Sequence, residues 1–385
     1  MIPHAVPIDD HGNEIVPAYP SAPPLPPVVQ VSVTTGEKSL PTPTGSYVTA
    51  GDLGGIINRA AVMRYLGERG WPPGLIDQCL LSMDKIPSRF FILDDSGSMN
   101  TNDGYKLVPG TQRGMASHVR CTRWDEMGTT VRFHSDLAKA AGCNAEFRFL
   151  NGPCVQYPRD IGEGDKLERT LSDSPGGGTP LCAAVRDVQR QIAAMAPALR
   201  ASGRKAVLTI MTDGEASDGQ LAQALQPLQG LPVWIVVRLS TDEDKVVKYW
   251  SSLDDELELE LDVLDDVVSE AREISEKGNG WLRYCEPLHR LREWGLTAKE
   301  FDLLDEQLLT LEQTHKCICL IAGSELASAL PQDYLQDFDG YCTAVKRLFA
   351  GIPKIHDVLT KRPSTWIDTA NLKRRHGKPA NCNIS

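Results

Sequence analysis

The stretch Arg89-Phe-Phe-Ile-Leu-Asp94-Asp-Ser-Gly-Ser-Met99 decides the fold of this chain. Its first half is an apolar run with the length and aromatic content of a buried strand. After Leu93 the sequence changes to acid, hydroxyl and glycine residues, which is typical of a loop at the carboxyl end of a strand. Asp94, Ser96 and Ser98 alternate in that loop, and each carries an oxygen atom that a hard cation such as Mg²⁺ can bind. The stretch therefore predicts a strand that delivers an oxygen-rich loop to the ligand-binding end of a sheet.

Strands alternate with helices along the chain on the C-terminal side of this stretch. A polar, glycine-rich segment at residues 100–120 interrupts the alternation and is interpreted as an insertion. The order predicts an α/β fold with a doubly wound, mostly parallel sheet at residues 86–265. The further strands are expected at Asn144–Leu150, Lys205–Met211, Val233–Val237 and near Leu257–Val263.

The segments on either side of residues 86–265 differ in composition. Residues 1–50 are a proline-rich leader of low complexity and are expected to be disordered. Residues 52–84 have the apolar spacing of two short helices, interpreted as a cap on the main domain. Residues 267–360 have the pattern of a helical region, and residues 361–385 are expected to form a flexible basic tail.

Composition limits the classes of protein and partner. The chain has 385 residues, of which 41% are hydrophobic and 24% charged, and its formal net charge is −11. These values fit a soluble globular protein, and the negative charge argues against a nucleic-acid partner. The N-terminus lacks the pattern of a secretory signal, and no apolar run approaches the roughly 20 residues of a membrane span. Ten cysteines without a CxxC pair favour reduced thiols and a cytoplasmic location.

Five oxygen-bearing residues form a candidate metal site. Asp94, Ser96 and Ser98 follow the first strand, Thr179 lies in Gly-Gly-Gly-Thr-Pro-Leu, and Asp213 closes a later strand as Thr-Asp-Gly. Three neutral hydroxyl groups and two carboxylates suit Mg²⁺, which prefers oxygen ligands and retains some water. Each residue also has a simpler interpretation. A threonine before proline can cap a helix, the serines can cap a turn, and Asp-Gly is a common turn.

Taken together, these motifs resemble the metal-ion-dependent adhesion site of a von Willebrand factor type A domain. The resemblance covers residues 86–265 and includes all five positions, in the expected order. It implies a bound Mg²⁺ or Mn²⁺ and a protein partner that offers a Glu or Asp side chain to the metal. The insertion at residues 100–120 departs from the family pattern, and whether it covers the metal face is open.

An adaptor or scaffold that binds protein is favoured over an enzyme. The sequence has no GxSxG, GxxxxGK[ST] or HExxH motif, and its eight histidines are scattered. A metal-dependent hydrolase or phosphatase that uses the same aspartates is the alternative. The Asp-x-Asp pattern of one phosphotransferase class is absent, because Asp95 and Ser96 follow Asp94.

Both ends of the chain carry candidate contacts. The stretch Pro20–Pro27 is either a docking peptide for an SH3-type or WW-type domain or a stiff solvated tail. Cys382-Asn-Ile-Ser fits the C-a-a-X prenylation pattern, and the basic cluster Lys373–Lys378 would add attraction to an anionic membrane. This predicts lipidation at Cys382 and a peripheral position on the cytosolic face of a membrane. The simpler interpretation is a chance match beside a solubilising basic run.

Overall fold

The computed structural model describes most of the chain from residue 56 onward. The described residues are 56–109, 116–161, 166–241, 243–257, 259–296 and 298–377, and they belong to one compact unit. The leader at residues 1–50, including Pro20–Pro27, lies outside the described residues. Lys378 and Cys382 also lie outside them, so docking and lipidation stay predictions.

A six-stranded sheet forms the centre of the fold. Its order is β5-β4-β1-β6-β7-β8, and every neighbouring pair is parallel except β4 with β5, which is antiparallel. The expected α/β fold with a mostly parallel sheet is thereby confirmed. The strands along the chain are β1 (Ser88–Leu93), β2 (Gly104–Pro109), β3 (Ala116–Cys121), β4 (Asn144–Phe149), β5 (Cys154–Tyr157), β6 (Ala206–Thr212), β7 (Val233–Leu239), β8 (Leu261–Leu264), β9 (Ile355–Asp357) and β10 (Arg362–Ser364).

Helices cover both faces of this sheet. The core on one face contains residues of α5, α6 and α7, and the core on the other contains residues of α1, α2, α3, α9, α11 and α13. The helices are α1 (Arg59–Glu68), α2 (Pro73–Lys85), α3 (Arg123–Ala141), α4 (Lys166–Ser172), α5 (Leu181–Ala201), α6 (Leu221–Leu225), α7 (Asp244–Glu256), α8 (Val267–Ile274), α9 (Glu286–Glu293), α10 (Lys299–Asp302), α11 (Leu311–Ala322), α12 (Ser324–Ala327), α13 (Phe338–Ala350) and α14 (Thr369–His376).

Strand β1 is apolar from Phe90 to Leu93 because it is buried on both faces of the sheet. All six of its residues are buried. Phe90 and Ile92 belong to the core beneath α5, while Phe91 and Leu93 belong to the opposite core. Successive side chains of a strand point to opposite faces, so a central strand between two helical layers needs apolar residues in an unbroken run.

The C-terminal helices share a core with the sheet. Trp281, Trp294 and Trp366 are fully or almost fully buried in the core that also contains Phe91. The described residues of the expected cap, from residue 56 onward, and the C-terminal helices therefore contribute to one shared core on one side of the sheet.

Residues 361–377 differ from the flexible tail expected there. They form β10 and α14, and Leu372 of α14 is completely buried. Asp368 caps the helix by accepting hydrogen bonds from the backbone N–H groups of Ala370 and Asn371, both at 3.0 Å. Two apolar anchors, Trp366 and Leu372, hold this segment although most of its other residues are polar or basic.

The insertion at residues 100–120 contains a β-hairpin. Strands β2 and β3 pair antiparallel, from Gly104 with Cys121 to Pro109 with Ala116. The Glu126 side chain on α3 accepts a hydrogen bond from the backbone N–H of Tyr105 at 2.9 Å, which fixes the base of the hairpin. Among the described helices, none combines the length and apolar character needed to cross a membrane.

Candidate metal centre

The candidate centre lies where two adjacent strands send the chain to opposite faces of the sheet. Strands β1 and β6 are parallel neighbours, with Leu93 paired to Met211. The chain leaves β1 towards α3 on one face and leaves β6 towards α6 on the other. Such a divergence opens a crevice at the carboxyl ends of the strands, the usual position of a ligand in an open α/β sheet. Asp94 and Asp213 are the first residues after these two strands.

Hydrogen bonds join the serine hydroxyls to Asp213. The Oγ atoms of Ser96 and Ser98 are 3.0 Å apart, and the Ser98 hydroxyl donates to Oδ1 of Asp213 at 2.8 Å. Ser96 and Asp213 are buried. The structure therefore brings Asp213 to Ser96 and Ser98, from which it is more than a hundred positions away in the sequence.

Asp94 is fixed by its own neighbours. Its Oδ1 accepts a hydrogen bond from the backbone N–H of Ser96 at 2.9 Å, and its Oδ2 accepts one from the Thr212 hydroxyl at 2.6 Å. The residue is completely buried. Burial raises the pKa of the Asp94 carboxyl and outweighs the two hydrogen bonds, which lower it. A buried carboxylate without a full counter-charge is the kind of group that a cation stabilises.

The oxygen spacing fits a Mg²⁺ ion. Octahedral Mg²⁺ has bonds of 2.0–2.1 Å, so adjacent ligand oxygens are about 2.9 Å apart. The Ser96–Ser98 and Ser98–Asp213 oxygen distances of 3.0 and 2.8 Å match this spacing. Neutral hydroxyl oxygens beside carboxylates are also ligands of the type that Mg²⁺ accepts. Serine hydroxyls also hydrogen-bond at such distances, so the spacing fits the ion without requiring it.

The glycine-rich loop that contains Thr179 is fastened to the loop after β1. The backbone N–H of Gly176 donates to the carbonyl of Asp95 at 2.8 Å, and the N–H of Gly97 donates to the carbonyl of Gly177 at 3.2 Å. Asn151 connects the same two loops, because its Nδ2 donates to Asp95 Oδ1 at 3.0 Å and to the Gly178 carbonyl at 2.9 Å. The two loops therefore form one bonded layer.

Thr179 is positioned through its backbone by the loop after β6. Its N–H donates to the Ser217 hydroxyl, and its carbonyl accepts from the Ser217 N–H, both at 2.9 Å. Pro180, rather than Thr179, is the N-cap residue of α5. The Asp218 carboxylate instead accepts from the N–H groups of Cys182 and Ala183 at the start of that helix, at 2.9 and 2.8 Å. The simpler interpretation of Thr179 as the helix cap is therefore wrong.

Sequence reasoning missed Arg123, a buried cation at the centre. Its Nη1 donates to Oδ2 of Asp213 at 3.0 Å. The guanidinium also binds Asp103 and Glu243, at 2.6 and 2.8 Å. These partners are far apart in the sequence, so no local motif marks Arg123. Thr212 is the last residue of β6, and Asn151 follows the end of β4 by two residues. This position at the carboxyl end of a strand is the one signal that could have found them.

Known proteins give no further assignment of this centre: no family model matches the chain, and a search of curated proteins finds no match. Within the part of the chain that the structure describes, no three His, Cys, Asp or Glu side chains are grouped so that they could hold a metal. The candidate centre is of another kind, because most of its five residues are hydroxyl donors.

Proposed function

We propose that this chain is a protein-binding module that holds Mg²⁺ or Mn²⁺ and grips an acidic side chain of a partner. In this proposal residues 86–265 form a von Willebrand factor type A domain. Its adhesion site consists of Asp94, Ser96, Ser98, Thr179 and Asp213. The observation that carries the proposal is the chain of Ser96, Ser98 and Asp213 oxygens, at distances suited to Mg²⁺, in the crevice between β1 and β6.

The sheet topology supports the same proposal. Counting only its own strands, the sheet has the order 3-2-1-4-5-6. This is the doubly wound order in which a ligand binds at the carboxyl ends of strands 1 and 4. Those strands are β1 and β6, the two that precede Asp94 and Asp213.

The charges at the site favour an acidic partner. A bound Mg²⁺ would supply an open coordination position for a carboxylate oxygen. The hydroxyls of Ser96, Ser98 and Thr179 would contribute no formal charge, so Asp94 and Asp213 are the only charged ligands, and Asp213 also pairs with Arg123. Two carboxylates, one of them shared with an arginine, would neutralise a divalent cation incompletely, and a Glu or Asp side chain from another protein would complete the neutralisation.

The bonding of Asp94 argues against the form of the hydrolase alternative in which this carboxylate attacks the substrate. A nucleophilic carboxylate needs an oxygen that can reach a substrate. Both oxygens of Asp94 already accept hydrogen bonds, and the residue is completely buried. We therefore expect no Mg²⁺-dependent phosphatase turnover. Turnover that is lost in Asp94→Asn would favour the enzyme.

Metal-dependent capture of partners tests the proposed function. The wild-type chain, Asp94→Ala and Asp213→Ala would be compared in Mg²⁺ and in EDTA, by thermal shift and by affinity capture from cytosol. We expect Mg²⁺ to raise the Tm of the wild type alone. We also expect a set of partners that is lost both in EDTA and in each variant. If Mg²⁺ leaves the wild-type Tm unchanged and captured partners are the same in EDTA, the proposal is wrong.

A further inference from the structure

Arg123 occupies a position that helix formation does not explain. It is the first residue of α3, which has 19 residues, and its side chain is only 5% exposed. A cation at a helix N-terminus faces the positive end of the helix dipole and is unfavourable there. Burial of the guanidinium adds a desolvation cost. The carboxylates around it must offset both.

Three carboxylates from separate segments meet at this guanidinium. Asp213 belongs to the candidate metal centre, Asp103 precedes the β2–β3 hairpin, and Glu243 precedes α7. Arginine stays protonated in proteins, and the three ion pairs hold the charged guanidinium in place. The centre therefore contains a permanent positive charge of the protein's own.

The two oxygens of Asp213 have different partners. Oδ1 accepts from the Ser98 hydroxyl, on the side of the expected metal ligands, and Oδ2 accepts from Arg123. Arg123 therefore neutralises Asp213 when no metal is bound. When a divalent cation binds, Arg123 repels it at short range in a site with little solvent screening.

We propose that Arg123 is a built-in counter-cation that lowers the affinity of the centre for Mg²⁺. This inference rests on the proposed function. The inference also extends the proposed function, because a centre with weakened metal affinity depends on the partner's carboxylate to retain its metal. Glu243 modulates the effect, since it offsets the charge of Arg123 from a side chain that is 60% exposed.

Isothermal titration of the full chain with MgCl₂ tests this inference. We expect Arg123→Gln to lower the Kd for Mg²⁺ about tenfold or more, because the repulsion is removed. Arg123→Lys keeps the charge and should stay within a few-fold of the wild type. Glu243→Gln should raise the Kd about two- to threefold, because less of the Arg123 charge is offset. The matched control is Arg132→Gln, which removes a half-exposed arginine of α3 that pairs with Glu168, and it should leave the Kd unchanged.

The possible results separate the inference from the proposed function. If the wild type binds Mg²⁺ and Arg123→Gln binds it equally or more weakly, the inference is wrong and the proposed function stands. If neither protein binds Mg²⁺, both are wrong. If Arg123→Gln is unfolded in EDTA but folds in Mg²⁺, the metal replaces the arginine as counter-charge, which supports the inference. If it is unfolded in both, Glu243→Gln decides: an unchanged or lower Kd overturns the inference.

Discussion

At the scale of single residues, Thr212 fixes the orientation of the Asp94 carboxylate. Its hydroxyl donates to Asp94 Oδ2 at 2.6 Å and also accepts from the Gly214 N–H at 3.2 Å. The residue is fully buried, so no water replaces these bonds. Replacing a residue that orients a metal ligand typically weakens metal binding about 10- to 100-fold, so Thr212 matters to the Mg²⁺ binding proposed for Asp94.

We therefore expect Thr212→Val, which keeps the shape of the side chain, to weaken Mg²⁺ binding about 10- to 100-fold. It should also lower the free energy of unfolding by about 1–3 kcal/mol, because a buried carboxylate oxygen loses its donor. Thr343→Val, at an exposed site on α13, is the control and should change neither quantity. Calorimetric titration and urea denaturation measure the two effects. Unchanged Mg²⁺ affinity in Thr212→Val would contradict the role given to this hydroxyl.

A second residue-scale prediction concerns the buried pair of His289 and Glu293. Burial lowers the pKa of His289 to about 3. Burial alone would raise the pKa of Glu293, but the charge of Arg290 and a hydrogen bond from His134 hold it well below its usual value. Below about pH 6.5 an unfolded histidine binds a proton that folded His289 does not bind until about pH 3. Below about pH 4.5 the same holds for Glu293, so both groups make stability fall as the pH falls.

Because its pKa is lowered on folding, His289 should by itself make the free energy of unfolding decrease by about 1.4 kcal/mol per pH unit as the pH falls from 6 to 4.5. His289→Gln removes this contribution, so the slope of the free energy of unfolding against pH should differ from that of the wild type by that amount. Urea denaturation at several pH values gives the slope independently of any overall loss of stability. An identical slope in the variant would show that His289 is protonated in the folded protein.

At the scale of elements, the loop after β6 orders the start of α5. Pro180, the N-cap residue of α5, makes no side-chain capping bond, and Asp218 supplies two acceptor bonds from outside the helix. Because Thr179 lies immediately before this helix start, the same loop positions a candidate metal ligand.

We expect Asp218→Ala to lower the free energy of unfolding by about 1–2 kcal/mol, the usual effect of losing a helix cap. Asp333→Ala, which removes an exposed carboxylate before α13, should cost much less. Urea denaturation compares the two variants. Equal losses would mean that Asp218 contributes no more to stability than an exposed carboxylate.

How well the sequence predicts each helix or strand depends on which interactions stabilise that helix or strand. Strand β1 was predictable because burial on both faces requires an apolar run. Strand β5 has four residues and lies at the edge of the sheet, and strands β2 and β3 pair with each other outside the sheet. The pattern of apolar residues in the sequence is therefore weak for all three strands. Helix α14 was missed because Trp366 and Leu372 anchor it within a largely polar and basic segment.

The residues of the candidate site likewise include some that the sequence marks by a local motif and one that it does not. Asp94, Ser96, Ser98, Thr179 and Asp213 could be proposed from the sequence because each lies in a short motif beside a strand or helix. Arg123 was not, because its role depends on carboxylates about 20 to 120 positions away. Charge pairing between distant segments leaves no local pattern.

At the scale of the whole molecule, the C-terminal helices complete the core on one face of the sheet. The carbonyl of Glu293 in α9 accepts from the Thr209 hydroxyl of β6 at 2.9 Å, and the Trp294 carbonyl accepts from Arg89 of β1 at 3.0 Å. Gly295 follows with φ +94°, and a Cβ there would lie 2.6 Å from the Val207 side chain. Only glycine allows α9 to approach the sheet so closely.

We expect Gly295→Ala to lower the free energy of unfolding by about 2–4 kcal/mol, through the strained backbone and the contact with Val207. Gly230→Ala is the matched control, because a Cβ there meets no atom within 4 Å and its φ is not in the positive range that disfavours L residues. Urea denaturation measures both. A Gly295→Ala protein as stable as the control would mean that α9 does not pack closely against β6.

Anomalous diffraction from crystals soaked in Mn²⁺ tests whether Asp94, Ser96, Ser98, Thr179 and Asp213 hold a metal, because it locates the ion without relying on affinity or partners. We expect a strong anomalous peak bonded to the hydroxyl oxygens of Ser96 and Ser98, beside Asp94, Thr179 and Asp213, and no peak there in Asp94→Ala crystals soaked in the same way. A wild-type map with no peak between these residues, or with its strongest peak elsewhere on the chain, would contradict this expectation.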